Sequence, residues 1–271
     1  MPTNAFLSNL PGTSLVIIWK ISIGGINLRL LVIIPAFNEA ECIDQVINQF
    51  LITCPDVDFI IINDGSSDDT ANICQRKGYP ILNLPVNLGL TGAFITGMKY
   101  AYLNHYDAAL QFDADGQHPA ASISEFEKYL NQGYDIVIGS RFVTEKKPRS
   151  LRMLGSNIIS WAILITTGKR LGDPTSGMRM YNKRMIREYA TQMNMDPEPD
   201  TVSYLIKRGA LVKEIQVSMQ DRIAGSSYLT TVKSLIYMTR VTISILLVQR
   251  FRGGNQLHPE HISVDRKEQT I

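Results

Sequence analysis

The chain has 271 residues, of which 45% are hydrophobic and 19% are charged. Its 27 Lys and Arg residues nearly balance 25 Asp and Glu residues, so the formal net charge is +2. This composition excludes a disordered chain, a collagen-like repeat and a general electrostatic affinity for nucleic acid. The mean hydropathy of -0.01 is high for a soluble enzyme and too low for a polytopic membrane protein. The length suits one large α/β domain, with or without a small appendage.

From Leu28 onward, short apolar segments alternate with segments of helical periodicity. The predicted strands are Leu28–Ile34, Phe59–Ile62, Ile81–Leu84, Ala108–Phe112, Asp135–Ile138 and Leu211–Val217. The predicted helices are Glu39–Leu51, Asp68–Lys77, Thr91–Leu103, Ile123–Leu130 and Ile158–Thr166. We expect Pro35 to end the first strand, and a basic loop to run from Arg141 to Arg152. This alternation indicates an α/β protein with a Rossmann-like, mostly parallel sheet flanked by helices.

The two ends of the chain carry weaker signals. The apolar stretch 14–26 lacks the flanks of a signal peptide and is too short for a membrane span, so residues 1–27 are interpreted as an extension of unknown role. Residues 229–249 are apolar, but Lys233 and Arg240 interrupt them, which favours a core-packing or membrane-surface helix over a span. We therefore expect a main domain at 28–225, an apolar or amphipathic helix at 226–252 and a polar tail at 253–271.

Polar clusters follow four of the predicted strands at the point where each strand ends. They are Asn38-Glu39, Asn63-Asp64-Gly65, Asp113-Ala114-Asp115 and Gly139-Ser140-Arg141. Because ligands bind at the carboxyl edge of an open parallel sheet, this convergence predicts a binding site there. Asp113 and Asp115, with Gln117, supply the oxygen ligands that Mg²⁺ or Mn²⁺ prefers when it also binds phosphate. Such a metal would neutralise charge on a leaving diphosphate, and His118 is interpreted as a loop residue.

Several nucleotide-handling and hydrolytic folds are disfavoured by the absence of their motifs. The sequence contains neither GxxxxGK[ST] nor GxSxG, which argues against a P-loop enzyme and an α/β-hydrolase. The segment after the first strand reads Pro35-Ala36-Phe37-Asn38-Glu39, where a dinucleotide-binding protein would carry GxGxxG. Gly89, Gly92 and Gly97 have the wrong spacing for that fingerprint.

Six motifs occur in order between about Leu31 and Gly225. They are IIPAFNE (33–39), NDGSSDDT (63–70), NLGLTGAFITGM (87–98), DADGQHP (113–119), GSRF (139–142) and GDPTSGMRMYNKRM (172–185). The ordered set resembles glycosyltransferase family 2, which has the GT-A fold. Within that family it is most similar to the branch related to dolichol-phosphate mannose synthase, which glycosylates polyprenyl phosphates. Two features depart from the branch: Gly225-Ser226-Ser227-Tyr228 lacks the lysine of its GxSK motif, and the sequence has no clear transmembrane helix.

The resemblance implies roles for individual residues. A nucleotide pocket would be lined by Pro35, Ala36, Asn38, Glu39, Asp64, Gly89 and Asp113. Within it Asp64 would read the base. Asp113 and Asp115 correspond to the DxD motif, and Gln117 would complete the metal and diphosphate contacts. Arg222 would contact the donor diphosphate, and the acceptor phosphate would be held by Arg141, Arg152 and Ser156. Guanidinium groups suit this task because they bind phosphate in a bidentate manner and stay charged.

Together these features predict an inverting, metal-dependent glycosyltransferase. It would move a sugar from a nucleotide-diphosphate sugar to a polyprenyl phosphate or a membrane-linked glycan in cell-envelope polysaccharide synthesis. Asp115 would anchor the Mg²⁺ or Mn²⁺ ion, and Arg222 would help to stabilise the leaving nucleoside diphosphate. A lipid phosphate needs no general base, whereas a sugar hydroxyl does, and Glu198 or Asp200 is then the candidate.

Two further hypotheses stay open at this point. A sugar nucleotidyltransferase shares the sheet and the metal, although PAFNE lacks the Gly-rich, Arg-containing loop of such enzymes. A non-catalytic sugar-nucleotide-binding subunit would use its apolar helix to dock a membrane-protein partner, and a homo-oligomer is also open. Cys42, Cys54 and Cys74 are odd in number and match no CxxC or zinc pattern, which is typical of a reduced cytoplasmic protein. We expect a cytoplasmic enzyme, peripheral at the inner face of the cell membrane, with no nucleic-acid partner.

Overall fold

The structure is a computed structural model that describes residues 28–148, 150–219, 231–248, 251–253 and 256–257, with the backbone alone described at 151, 152 and 231–233. The strands are β1 (Leu30–Ala36), β2 (Asp58–Asn63), β3 (Ile81–Asn83), β4 (Ala108–Gln111), β5 (Ile136–Ser140), β6 (Arg179–Asn182) and β7 (Val212–Gln216). The helices are α1 (Ile43–Thr53), α2 (Thr70–Lys77), α3 (Gly89–Leu103), α4 (Ile123–Asn131), α5 (Leu151–Thr167), α6 (Lys183–Thr191), α7 (Pro199–Lys207) and α8 (Thr231–Ile243). A 3₁₀ turn (Ala120–Ser122) precedes α4, and a π-helical turn (Ser244–Val248) follows α8.

The described strands form one sheet in the order β3-β2-β1-β4-β6-β5-β7. Neighbouring strands are parallel, except that β6 pairs antiparallel with both β4 and β5. The predicted mostly parallel α/β sheet is therefore confirmed. Strand β6, with the sequence RMYN, was not predicted, and its insertion separates β4 from β5.

The strands are buried on both faces of the sheet, as their nearly continuous apolar sequences require. Leu31 and Ile33 of β1 pack in the core beneath α3, α5, α6, α7 and α8. Val32 and Ile34 point to the opposite face, where they pack in the core beneath α1, α2 and α4. The sheet is thus the central layer between two layers of helices, and its carboxyl edge carries the connecting loops.

Strand β1 continues through Pro35 to Ala36, so the expectation that Pro35 ends the strand is wrong. In a parallel strand alternate residues direct their backbone groups to opposite neighbours. Ile33 O accepts a hydrogen bond from Phe112 N, so Pro35 also faces the side of β4. The pairing of β1 with β4 ends at Ile33 and Gln111, and the missing N–H of Pro35 therefore costs no ladder hydrogen bond.

Helix α5 begins at Leu151, seven residues before the predicted start at Ile158. Ser150 caps it, because its side chain accepts a hydrogen bond from Met153 N at 3.3 Å. The predicted basic loop from 141 to 152 therefore ends before residue 151, and Arg152 lies in the first turn of the helix.

The predicted helix at 229–249 corresponds to α8 and the π-helical turn, within the residues that are described. Val241 and Ile245 pack in the core. Close approach of α8 to α5 depends on Gly155, where a Cβ atom would lie 1.7 Å from Met238 Sδ. None of the described helices is both long and apolar enough to cross a membrane.

Candidate active site

The loops that follow β1 and β2 are fastened to each other at the carboxyl edge of the sheet. Asn38, at a positive φ of 56°, accepts a hydrogen bond from Ser67 N at 2.9 Å through Oδ1. Its own N–H donates to Ser66 Oγ at 2.9 Å. Glu39 N donates to Thr70 Oγ1 at 2.9 Å, next to Pro35 and Ala36 at the end of β1. These contacts hold the segment 35–39, which carries four of the residues predicted to line the nucleotide pocket, against the loop after β2.

Asp64 connects the loop after β2 to the start of α3. It is buried, and its Oδ1 accepts a hydrogen bond from Leu88 N at 2.7 Å. The adjacent Gly65 has a φ of +68°, and a Cβ atom there would lie 2.8 Å from Asn87 N. Gly89 begins α3 with a φ of +74°. Asp64 therefore holds the loop after β2 against the start of α3. Its predicted role in reading the base stays a prediction.

The loop after β4 carries the two predicted metal ligands. Asp115 is buried, and its Oδ1 accepts a hydrogen bond from Gln117 N at 3.0 Å. The side chain of Asp113 is 34% exposed and faces Gly177, where a Cβ atom would lie 3.2 Å from Asp113 Oδ2. A side chain at position 177 would therefore press against this carboxylate, which explains the glycine in the segment before β6.

His118 holds Asp113 in place, a role beyond that of the loop residue the sequence suggested. Its side chain is 3% exposed, and its Nδ1 accepts a hydrogen bond from Asp113 N at 2.9 Å. The proton is consequently on Nε2, which lies 3.3 Å from Asp113 Oδ2. The ring also packs edge-on against Phe112 at a centroid distance of 5.5 Å. The one local signal for this role is the position of His118 in the same short loop as the two aspartates.

Cys42 connects the loop after β1 with the aspartate loop. Its Sγ lies 3.1 Å from Glu39 Oε2 and 3.4 Å from Ala114 O, both within hydrogen-bond distance of a thiol. Burial, together with the neighbouring Glu39 carboxylate, raises the pKa of the Cys42 thiol to about 12. The thiol therefore stays protonated and acts as a donor between the two loops.

The donor atoms in this loop fit a divalent cation that is shared with a phosphate. Asp113 and Asp115 offer carboxylate oxygens, which Mg²⁺ and Mn²⁺ prefer. The described residues contain no group of three or more His, Cys, Asp or Glu side chains that could hold a metal by themselves. Mg²⁺ commonly binds proteins through one or two carboxylates and completes its shell with phosphate oxygens and water. The predicted pair, with Gln117 nearby, matches that pattern.

Two of the three predicted acceptor-phosphate residues, Arg141 and Ser156, have protein partners in this structure. Arg141 forms a bidentate ion pair with Asp173, with Nε 2.7 Å from Oδ2 and a terminal nitrogen 2.9 Å from Oδ1. This contact raises the pKa of Arg141. Ser156 is buried and accepts a hydrogen bond from Lys147 Nζ at 3.1 Å. The side chain of Arg152 lies outside the described residues. Lys147 itself was not singled out from the sequence.

The two candidate bases lie where α7 contacts the C-terminal helix. Glu198 accepts a hydrogen bond from the Tyr237 hydroxyl, and Asp200 Oδ2 accepts one from Ser244 Oγ at 2.6 Å. Burial raises the pKa of Glu198. The positive charge of the fully buried Arg179 opposes this rise, because it lowers the pKa of Glu198. Arg222, the predicted diphosphate contact, lies outside the described residues.

Comparison with known proteins identifies the family of the chain. The family model described as glycosyl transferase family 2 matches residues 31–190, which is more than half of the chain. The chain belongs to this family. Family membership confirms the predicted enzyme class, a glycosyltransferase, and it favours this class over the nucleotidyltransferase and the non-catalytic subunit.

Two curated relatives of this glycosyltransferase carry informative names. A polyprenol monophosphomannose synthase of Mycolicibacterium smegmatis is 25% identical over 73% of this chain and 80% of its own length. An undecaprenyl-phosphate mannosyltransferase of Micrococcus luteus is 27% identical over 74% of this chain and 87% of its own length. Both belong to the branch that the sequence motifs resemble.

A solved structure confirms the predicted GT-A fold. Glucosyl-3-phosphoglycerate synthase of Mycobacterium tuberculosis, in complex with Mn²⁺, uridine diphosphate and phosphoglyceric acid, superimposes with a TM-score of 0.60. The match covers 84% of this chain and 80% of that chain at 16% sequence identity. At this sequence identity the similarity shows only a shared fold. The Mn²⁺ ion and the uridine diphosphate are ligands of the mycobacterial enzyme.

Proposed function

We propose that this glycosyltransferase moves a sugar from a nucleotide-diphosphate sugar to a polyprenyl phosphate at a membrane surface. The names of the two relatives support the acceptor class. The observation that carries the choice of acceptor is the position of Glu198 and Asp200. Each carboxylate receives a hydroxyl hydrogen bond from the C-terminal helical segment, so each has a structural task. A phosphate acceptor, which is already ionised, needs neither of them as a base.

In this proposal the chain supplies positions and charges for the reaction. Asp113 and Asp115 would hold Mg²⁺ or Mn²⁺, and the ion when bound would neutralise charge on the leaving nucleoside diphosphate. His118 and Gly177 fix the Asp113 carboxylate, so that little reorganisation accompanies donor binding. The loops at 35–39 and 63–67 would bind the nucleoside, and Arg222 would contact its diphosphate. The acceptor oxygen would attack the anomeric carbon from the opposite face, which inverts its configuration.

The direct test is a transfer assay that detects both products. Purified protein is incubated with a panel of nucleotide-diphosphate sugars, Mn²⁺ and undecaprenyl phosphate, and both free nucleoside diphosphate and lipid-linked sugar are measured. Asp115→Asn should reduce turnover about 10²–10³-fold, the typical effect of losing one electrostatic contact in a preorganised site. Asp56→Asn is the matched control, because Asp56 is exposed in the turn before β2. Release of pyrophosphate from a nucleoside triphosphate and a sugar phosphate would contradict the proposal.

A second pair of variants separates the two acceptor classes. Glu198→Gln and Asp200→Asn should keep turnover with a lipid-phosphate acceptor, because no proton is removed from that acceptor. Tyr237→Phe reports the structural effect of losing the same hydrogen bond without changing the carboxylate. If Glu198→Gln lost turnover while it unfolded at the same urea concentration as Tyr237→Phe, a sugar hydroxyl would be the acceptor.

We further propose that α5 and α8 rest on the inner face of the cell membrane. Leu154, Ile158, Trp161 and Ile165 form an exposed apolar stripe along α5, and Leu235 is exposed on the neighbouring α8. These positions repeat every three or four residues and therefore lie on one helix face. Leu154→Asp and Leu235→Asp should reduce sedimentation with vesicles of phosphatidylglycerol and phosphatidylethanolamine. Leu103→Asp, at an exposed apolar position on α3, should not, and equal loss in all three would contradict the assignment.

A further inference from the structure

Strand β7 forms one edge of the sheet, and two of its polar side chains lie on the face that α5 covers. Val212 packs in the core together with residues of α5, and alternate residues of a strand share one face. Glu214 and Gln216 therefore lie on the face of Val212, and both are half-buried. Their hydrogen bonds reach the segments 141–144 and 172–173, at the carboxyl edge of the sheet.

Glu214 binds the turn between α5 and β6. Its two carboxylate oxygens accept hydrogen bonds from Gly172 N at 2.6 Å and from Asp173 N at 2.7 Å. Hydrogen bonds to a carboxylate are roughly twice as strong as those between neutral groups. The turn is therefore fastened to β7 at the residue whose side chain pairs with Arg141.

Asp173 connects this turn to Arg141. Its side chain is fully buried, and it accepts hydrogen bonds from Arg141 N at 3.2 Å and from two nitrogens of the guanidinium. A bidentate pair of this kind fixes the plane and the direction of the guanidinium as well as its distance. The position of the guanidinium therefore depends on the turn 172–173 and, through that turn, on Glu214.

Gln216 holds the backbone of the same arginine. Its Nε2 donates to Arg141 O at 3.0 Å, and its Oε1 accepts hydrogen bonds from Val143 N and Thr144 N, both at 2.9 Å. The side-chain amide thus uses its donor and its acceptor on one loop. Arg141 is consequently held at two points, at its backbone by Gln216 and at its guanidinium by Asp173.

The guanidinium of Arg141 keeps donors for a ligand. Of its five N–H groups, the one on Nε and one on a terminal nitrogen bind Asp173, and the others have no acceptor among the described residues. The side chain is 29% exposed, so an anion can reach it. An arginine that is already held loses less side-chain freedom when it binds a phosphate, which favours binding.

We propose that Glu214 and Gln216 are positioning residues, which hold Arg141 in the orientation that meets an anionic acceptor. The proposal rests on the proposed function for the acceptor class. It adds that acceptor binding depends on two side chains of β7 that act through Arg141. Among the described residues, neither side chain forms a hydrogen bond with the loops after β1, β2 or β4, so donor binding should not depend on them.

Steady-state kinetics with undecaprenyl phosphate test the positioning. Glu214→Gln keeps the size of the side chain but offers one acceptor oxygen where two N–H groups point. We expect the KM for undecaprenyl phosphate to rise about tenfold, equivalent to about 1.4 kcal/mol, with the KM for the donor unchanged. Gln216→Glu keeps an acceptor for Val143 N and Thr144 N and loses the donor to Arg141 O, so it should raise the same KM. An unchanged acceptor KM in both variants would overturn the proposal.

Asp135→Asn is the matched control for lost stability. Asp135 is buried at the opposite edge of the sheet, just before β5, and its carboxylate accepts hydrogen bonds from Leu211 N at 2.7 Å and from Arg184. The variant should unfold at a lower urea concentration than the wild type and keep the acceptor KM. An equal rise of the acceptor KM in this control would show that lost stability alone weakens acceptor binding, and the proposal would fall.

Proton exchange at Arg141, measured without substrate, separates failure of the positioning from failure of the proposed function. Arg141 Nε–H donates to the buried Asp173 Oδ2 at 2.7 Å, so its proton should exchange slowly with water in ¹⁵N magnetic resonance spectra. The signal is assigned by its absence in Arg141→Lys, and Glu214→Gln should accelerate the exchange about tenfold.

Exchange at the wild-type rate in Glu214→Gln would overturn the positioning, even where the wild-type protein glycosylates undecaprenyl phosphate. Faster exchange in that variant, combined with a wild-type protein that transfers no sugar to any lipid phosphate, would leave the positioning of Arg141 standing and remove the proposed function.

Discussion

His118 offers the sharpest test of how the aspartate loop is held. The change His118→Phe keeps an aromatic ring that can pack against Phe112, whose centroid lies 5.5 Å from that of the imidazole. It removes the acceptor of the Asp113 N–H, at 2.9 Å, and the Nε2 group that lies 3.3 Å from Asp113 Oδ2. The variant therefore isolates the two polar contacts of the imidazole from its packing.

The expected loss of stability in His118→Phe follows from those two contacts. A backbone N–H that loses its partner away from water costs about 1–3 kcal/mol. The imidazole contact with the partly exposed carboxylate of Asp113 adds about 1 kcal/mol. We expect the free energy of unfolding to fall by about 2–4 kcal/mol. If about 1.4 kcal/mol of this reflects a misplaced Asp113, the Mn²⁺ concentration for half-maximal activity should rise about tenfold.

The assay is the release of nucleoside diphosphate as a function of Mn²⁺ concentration, paired with urea denaturation of each protein. His118→Asn is the comparison variant, because its Oδ1 can occupy the place of Nδ1 and accept from the Asp113 N–H. It should recover part of the stability and part of the Mn²⁺ response. A wild-type Mn²⁺ response in His118→Phe would refute the view that His118 positions Asp113.

Three further predictions test other contacts of the site. Asp173→Ala removes the buried partner of Arg141 and should lower the free energy of unfolding by about 3 kcal/mol in urea, a loss that Asp56→Ala should not share. Gly65→Ala forces a Cβ atom to within 2.8 Å of Asn87 N at a φ of +68°, so it should cost about 1–3 kcal/mol and raise the KM for the donor; a wild-type KM would contradict the placement of this loop. With a pKa raised to about 12, Cys42 should resist iodoacetamide at pH 8 in the folded protein and react once urea unfolds the chain, as peptide mass spectrometry would report.

The first five strands were predictable because their signal is local. Each is a short apolar segment, a polar cluster follows four of the five, and the predicted bounds lie within two residues of the observed ones. Strand β6 has no such signal. It contains Arg179, and its position between β4 and β5 depends on antiparallel pairing with residues more than 40 positions away. Helices α6 and α7 were also not predicted.

The candidate site was likewise predictable only in part. The clusters after β1, β2 and β4 could be placed together because parallel strands present their carboxyl ends at one edge. The partner of Arg141 could not be predicted, because Asp173 is 32 residues away and its motif, GDPTSGMRMYNKRM, does not indicate which side chain it contacts. Lys147 lies in the predicted basic loop from Arg141 to Arg152, and its contact with Ser156 depends on where α5 begins.

The unpredicted strand also links the C-terminal helix to the loop that carries Asp113 and Asp115. Arg179 at the start of β6 donates hydrogen bonds to the carbonyl oxygens of Ser176 at 2.8 Å and Pro197 at 3.0 Å. Pro197 precedes Glu198, which binds Tyr237 of α8, and Ser176 precedes Gly177, which borders Asp113. A single buried guanidinium thus connects the two segments. Because a buried guanidinium that loses its hydrogen bonds is costly, we predict that loosening α8, and with it the segment 197–198, shifts Arg179 and, through Ser176, the Gly177 backbone beside Asp113.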